Sequence, residues 1–182
     1  LESLQKEGIK LCKYRAGVLS GCAGSGKTTT SDCMTECLQR LKGHKIIYGT
    51  PTGKACRRLA EVVGGTVKTI HSQFKIGLES EGYLGTVGKK YKKSKQNPLT
   101  GEVISSPKDI YIFDEMAMCN TPLLYEIARN VSDDDLVYFL GDIKQLPPIG
   151  KGNPFYLLMQ LLPCVELGVS KRAAEGSEVN YN

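Results

Sequence analysis

The chain has 182 residues, 41% of them hydrophobic and 24% charged, with a formal net charge of +5 at pH 7. That length suits one core carrying an insertion and leaves two full domains cramped, and the composition excludes a chain disordered throughout. No apolar stretch approaches the roughly 20 residues needed to span a bilayer and no signal peptide is visible, so a cytoplasmic protein with no membrane partner is expected.

In chain order, residues 2 to 14 read as a short amphipathic helix with Leu4, Ile9 and Leu11 as its apolar contacts. A strand follows from Ala16 to Leu19, and a helix beginning near Lys27 runs to about Lys42, with Gly43 as its stop. Lys45 to Tyr48 is a buried strand. Thr50-Pro51-Thr52 then turns into a helix with Ala55, Cys56, Leu59, Ala60 and Val63 on one face and Lys54, Arg57 and Arg58 on the other. Gly64 and Gly65 break that helix, Thr66 to Thr69 is short and β-branched, and Ile70 to Phe74 makes one or two helical turns.

Residues 76 to 106 change character, with glycines at 77, 82, 85, 88 and 101, five lysines between 89 and 95, and no sustained helical period. They predict a small β-hairpin or flexible subdomain inserted into a core formed by 1–75 and 107–182. From Lys75 to Ser106, six lysines oppose three glutamates, and a local basic surface of this kind favours a polyanionic partner. The core resumes with a strand at Ile110 to Phe113. Next come a helix from Thr121-Pro122, as N-cap and first helical position, to Asn130, and a strand from Leu136 to Leu140. A helix capped by Asn153-Pro154 and a strand at Val165 to Leu167 close the pattern. Apolar strands alternating with helices predict a mostly parallel α/β sheet covered on both faces, with ligands at the carboxyl ends of the strands.

The seven cysteines are odd in number and form no C-x-x-C pair, so they read as reduced thiols, most of them small core residues. Cys33 and Cys37 are placed on the apolar side of their helix with Met34, Leu38 and Leu41. Packing explains them better than zinc.

The chemistry is concentrated in residues 21 to 28, Gly-Cys-Ala-Gly-Ser-Gly-Lys-Thr, which match the P-loop pattern G-x-x-x-x-G-K-[ST] between a strand and a helix. Gly21, Gly24 and Gly26 free the backbone so that successive amides can face phosphate oxygens at a helix N-terminus. The nucleotide-binding candidates are therefore Gly21, Cys22, Ala23, Gly24, Ser25, Gly26, Lys27, Thr28 and Thr29. Lys27 is suited to the β- and γ-phosphates of ATP and the Thr28 hydroxyl to Mg²⁺. A strand ending in two carboxylates completes the arrangement. Asp114 can hold Mg²⁺, directly or through water, and Glu115 can take the proton of the water that attacks the γ-phosphate.

Taken in order, these runs form a family pattern: Gly21 to Thr28, Thr50-Pro51-Thr52-Gly53-Lys54-Ala55, Thr69-Ile70-His71, Phe113-Asp114-Glu115 and Gly141-Asp142-x-x-Gln145-Leu146-Pro147-Pro148-x-Gly150. The pattern resembles superfamily 1 DNA helicases, and among them the RecD and Dda group that includes the alpha subunit of exodeoxyribonuclease V. The resemblance implies a RecA-like P-loop NTPase fold and the first motor domain of an ATP-dependent helicase moving 5′ to 3′ on single-stranded DNA. Its implied partners are a second RecA-like domain of the same parent chain and other recombination or replication proteins.

Residue by residue, the resemblance implies that Gln5 recognises adenine, although Gly8 stands where the family usually has alanine. It makes Gln145 the γ-phosphate sensor coupled to DNA, and Pro51, Thr52, Lys54, Thr69 and His71 contacts to the strand. Arg172, within Leu167 to Arg172, matches an arginine that reaches the γ-phosphate from the start of the second motor domain, although Ala173 follows where glutamine is usual. The basic insert lies where these helicases carry a strand-separating pin; there Lys89, Lys90, Lys92 and Lys93 suit phosphates and Tyr91 suits stacking on a base. Two other functions share much of this pattern. One is a nucleotide-gated binding module that does not unwind, and the other is an RNA helicase of the same superfamily.

Overall fold

The computed structural model describes residues 3–40, 44–76, 95–96, 103–104 and 109–168. Its elements are α1 (Ser3–Lys10), β1 (Ala16–Gly21), α2 (Lys27–Gln39), β2 (Lys45–Thr50), α3 (Gly53–Val63), β3 (Lys68–Thr69) and α4 (Ile70–Phe74). They continue with β4 (Lys95–Gln96), β5 (Val103–Ile104), β6 (Asp109–Phe113), α5 (Thr121–Asn130), β7 (Leu136–Gly141), α6 (Pro154–Leu161) and β8 (Cys164–Leu167).

Six strands form one sheet in the order β3-β2-β6-β7-β1-β8, and every pairing in it is parallel. Parallel strands must be joined by crossovers, and the helices that make them cover both faces. Alternation along β6 and β7 divides the core accordingly. Ile110, Ile112, Tyr138 and Leu140 meet Met34 and Leu38 of α2 on one face. On the other, Tyr111, Phe113 and Phe139 meet Ile70, Ile127 and Phe155. Ring stacking continues across neighbouring strands, with centroids 5.7 Å apart for Tyr111–Phe113 and 5.9 Å for Phe113–Phe139. Because the central strands are buried on both sides, they read in the sequence as unbroken apolar runs.

The mostly parallel α/β sheet is as expected, but the sheet has one strand more than the sequence suggested. Lys68–Thr69 pairs with the end of β2, placing Thr50 opposite Thr69. The first helix is also shorter than expected. It stops at Lys10 and tightens into a 3-10 turn over Leu11–Lys13. The chain then extends at Tyr14, whose carbonyl accepts a 2.8 Å hydrogen bond from the buried Tyr138 hydroxyl. Likewise α2 ends at Gln39, before the expected stop.

The cap of α5 is Asn120, not Thr121, because the Asn120 side chain reaches the Leu123 amide at 3.0 Å and Thr121 is already helical. Asn153 stands at the start of α6 without a capping hydrogen bond from its side chain. Most cysteines are only partly buried, and Cys37 is exposed. In α2 the inward stripe is Thr30, Met34 and Leu38, with Ser31 and Thr35 beside it, and Cys37 falls outside. Cys119 is the buried thiol among the described residues, and desolvation pushes it up to about 12, which suits a packing group.

Between residues 76 and 106, Lys95 pairs with Ile104 and Gln96 with Val103 as an antiparallel ladder. The rest of the basic run, including Lys89, Lys90, Tyr91, Lys92 and Lys93, lies outside the described residues, as does Arg172.

Gly141 ends β7 against the ring of Phe155, where an added Cβ would lie 2.7 Å from Cζ. Phe155 is itself buried and has little room to retreat. Gly141→Ala should therefore cost about 1–3 kcal/mol of stability, read as an earlier midpoint in urea denaturation.

Candidate functional site

Because β1, β2, β6 and β7 run in the same direction, the turns leaving their carboxyl ends gather on one edge of the sheet. The first of these turns is the glycine-rich loop. Gly24 has φ 80° and Gly26 has φ 89°, left-handed values that side chains rarely adopt. Gly26 caps α2 in that conformation, so the helix begins at Lys27 with its first amides toward the loop. Gly21 answers a different need. A Cβ there would lie 2.4 Å from Ser25 Oγ and 3.0 Å from Leu167 Cβ, so close approach explains this glycine and left-handed backbone does not. The Lys27 ammonium donates back to the Gly21 carbonyl and so bridges the loop.

The second turn carries the acidic pair. The Asp114 amide bonds to the Gly49 carbonyl at 3.0 Å, extending the β2–β6 ladder by one step. The Asp114 carboxylate accepts the Glu115 amide at 2.8 Å. Glu115 has φ 57°, a left-handed value that costs of order 1–3 kcal/mol outside glycine. Its Oε2 is buried with no hydrogen-bond partner among the described residues. A left-handed backbone and an unsatisfied carboxylate oxygen beside the glycine-rich loop make Glu115 a candidate functional group. Burial, foremost, raises the Asp114 pKa above the ordinary carboxylate value; the Glu115 amide opposes this, the Glu115 charge adds to it, and Lys27 and Arg58 pull it down.

The third turn follows β7. Asp142 is buried. Its carboxylate accepts the Lys144 amide at 3.0 Å and its carbonyl the Gln145 amide at 3.0 Å, and this local turn presents Gln145.

These three turns border one cavity of about 800 Å³. Cys22, Ala23, Gly24, Gly26, Lys27, Thr28 and Thr29 line it from the loop and α2, and Asp114, Glu115 and Gln145 from the sheet edge. Arg58, Leu59 and Val62 of α3 line its remaining wall. Arg58 is exposed like Lys54 and Arg57, as expected, but unlike them it also borders the cavity. The spacing Ala55, Arg58, Leu59, Val62 is itself a helical stripe, and this signal was available in the sequence.

Thr52 and Thr69 both act as helix caps. The Thr52 hydroxyl accepts the Ala55 amide of α3 at 3.3 Å, and the Thr69 hydroxyl accepts the Ser72 amide of α4 at 3.2 Å. Pro51, Thr52, Lys54, Thr69 and His71 stand together near the paired ends of β2 and β3, outside the cavity lining. His71 is exposed and is not a core histidine. Gln5 lies on α1, and its side chain is outside the described residues.

The residues present fit Mg²⁺ with a nucleotide. The Thr28 hydroxyl and Asp114 carboxylate are hard oxygen donors, and the Gly24–Gly26 backbone forms an amide-lined cradle. Among the described residues no group of three or more His, Cys, Asp or Glu side chains converges on a metal ion. Mg²⁺ here would share its coordination with phosphate and water, its usual habit. Also among the described residues, no helix is long and apolar enough to cross a membrane.

Comparison with known proteins matches residues 1–181 to a family described as an AAA domain. The ATP-dependent RecD2 DNA helicase of Deinococcus radiodurans is 32% identical over 158 residues, covering 87% of this chain and 20% of that protein. The ATP-dependent DNA helicase dda of Enterobacteria phage T4 is 28% identical over 171 residues, covering 85% and 34%. The crystal structure of Bacteroides Pif1 bound to ssDNA superposes with a TM-score of 0.59 at 21% identity, over 94% of this chain and 42% of that one. The chain thus spans a fifth to a third of the length of these two relatives.

The raised Asp114 pKa has a consequence for stability. A carboxyl that holds its proton more tightly folded than unfolded favours the fold at low pH, and this advantage is lost as pH rises through its folded-state value. Asp114→Asn should therefore melt higher than the parent near neutral pH. The gap should close as pH falls toward the ordinary value of 3.8, as followed by thermal melts across that range.

Proposed function

The chain belongs to the AAA domain family and, within it, to the RecD- and Dda-like group of superfamily 1 helicases, and on that premise we propose that it is the first motor domain of an ATP-dependent DNA helicase. In this reading it binds and hydrolyses Mg-ATP to drive 5′ to 3′ translocation on single-stranded DNA and unwinding of duplex. The observation that supports it best is that Lys27, Asp114, Glu115 and Gln145, from three separate turns, border a single cavity.

Each side chain has work suited to its chemistry. The loop amides and Lys27 hold the β- and γ-phosphates, and Thr28 with Asp114 holds Mg²⁺, which when bound neutralises phosphate charge. The Glu115 carboxylate, which borders the cavity, accepts the proton of the attacking water. Gln145 orients the water and, through its turn, links the phosphate to the DNA-facing edge.

Pro51, Thr52, Lys54, Thr69 and His71 are the proposed contacts to the strand. The relatives support this assignment, because RecD2 and dda are DNA helicases by name and the Pif1 structure holds ssDNA. Gln5 on the adenine, the lysines and Tyr91 of the insert on DNA, and Arg172 from a second motor domain complete the proposal. The division into a core of 1–75 and 107–182 with an insert of 76–106 belongs to it as well.

In the full-length protein, Lys27→Ala and Glu115→Gln should each lower single-stranded-DNA-stimulated ATP hydrolysis by about 10²- to 10⁴-fold. Glu115→Gln should keep nucleotide binding while Lys27→Ala weakens it. Rates that survive both changes would defeat the assignment, and equal stimulation by RNA oligonucleotides would redirect it to RNA.

A further inference from the structure

We propose that Arg58 is a phosphate-binding residue of the nucleotide site, holding the terminal phosphate of a bound triphosphate from the wall opposite the glycine-rich loop. The inference rests on the cavity being a nucleotide site, as argued above, and adds a residue that the P-loop and acidic-pair patterns do not contain.

Three observations carry it. Arg58 lines the cavity together with Lys27, Asp114 and Glu115, although it comes from a separate helix, α3. Its guanidinium is close enough to attract the Asp114 carboxylate electrostatically, which puts it at the end of the cavity where metal and terminal phosphate would meet. Among the described residues no hydrogen bond or ion pair ties it down, so its planar set of donors is open to a ligand.

Topology sets the direction. α1 packs on α2 and β8, while α3 packs on β2 and β3. In the strand order these lie on opposite sides of β1 and its loop. A nucleotide whose base lies toward α1, where Gln5 is the adenine candidate, extends its phosphates toward β6 and α3. Arg58 stands at that end. A guanidinium matches phosphate oxygens bidentately, and among the described residues the cavity otherwise offers one lysine against the carboxylates of Asp32, Asp114 and Glu115. A second cation is what a triphosphate, but not a diphosphate, calls for.

The test compares two nucleotides in the full-length protein with Mg²⁺, using fluorescence titration of labelled ADP and of the β,γ-imido analogue of ATP. Arg58→Gln should weaken the triphosphate analogue about 10- to 100-fold, as expected for loss of a charge-assisted contact. ADP should change less than about threefold, and this also serves as the check that the variant folds. Arg58→Lys should recover part of the loss. Arg57→Gln, which removes the same charge one residue away and outside the cavity lining, should change neither affinity. Equal weakening of both nucleotides, or no change in either, overturns the role of Arg58. If Lys27→Ala in the same assay leaves both affinities intact, the nucleotide reading itself falls. If Lys27→Ala abolishes binding while Arg58→Gln does nothing, only this inference falls.

Discussion

Parallel pairing of β1 with β7, and of β7 with β6, is the constraint from which the rest follows. Val18 lies opposite Phe139, and Phe139 opposite Phe113, so the strands that carry the phosphate loop, the acidic pair and the glutamine turn are locked in register. Antiparallel neighbours would send alternate turns to opposite edges of the sheet. With a one-residue slip, β6 would exchange Ile110 and Ile112 for Tyr111 and Phe113 across its faces, and both cores would fail. The same hydrogen bonds that hold the sheet therefore hold the distances across the cavity.

The site's costs are concentrated where the sheet is strongest. Glu115 adopts a left-handed backbone and leaves a buried oxygen unpaired, and Asp114 is held where its charged form is disfavoured. Neither would persist on a loose loop. Here Phe113 is fully buried just before the pair and Met116 just after it, so the polypeptide is anchored on both sides of the strain. The glycine loop follows the same logic, since β1 is almost wholly buried before it and α2 seats Met34 and Leu38 beyond it. Rigid flanks allow an otherwise unfavourable turn, which is how an open sheet comes to present prearranged donors and acceptors at its edge.

α3 differs from the other long helices because it has no fully buried residue. Its stripe of Ala55, Arg58, Leu59 and Val62 forms a wall of the cavity, and its cap, Thr52, is one of the residues proposed to meet the nucleic acid. One short helix would thus border both the nucleotide and the strand. This geometry suits a motor in which events at the phosphate must be felt at the track.

Much of this was legible in the sequence, because its rules are local. A P-loop needs left-handed glycines at fixed spacing before a helix, and strands buried on both faces leave unbroken apolar runs such as Ile110 to Phe113, so the α/β class and the sheet-edge residues could be read without coordinates. Properties that depend on distant partners could not. Lys68–Thr69 is a strand only because the end of β2 lies beside it. Asn120 caps α5 in place of Thr121 because of side-chain geometry that propensity does not contain. Cys37 is exposed because the face of α2 that counts was set by where Ile112 and Tyr138 stand. Arg58 is as exposed as Arg57, and only the packing of α3 beside the glycine-rich loop makes it a cavity residue as well. Sequence determines which backbone shapes are affordable along the chain, whereas only the folded sheet decides which surfaces meet, because contacts between residues far apart in sequence depend on register and crossover and leave no periodic trace.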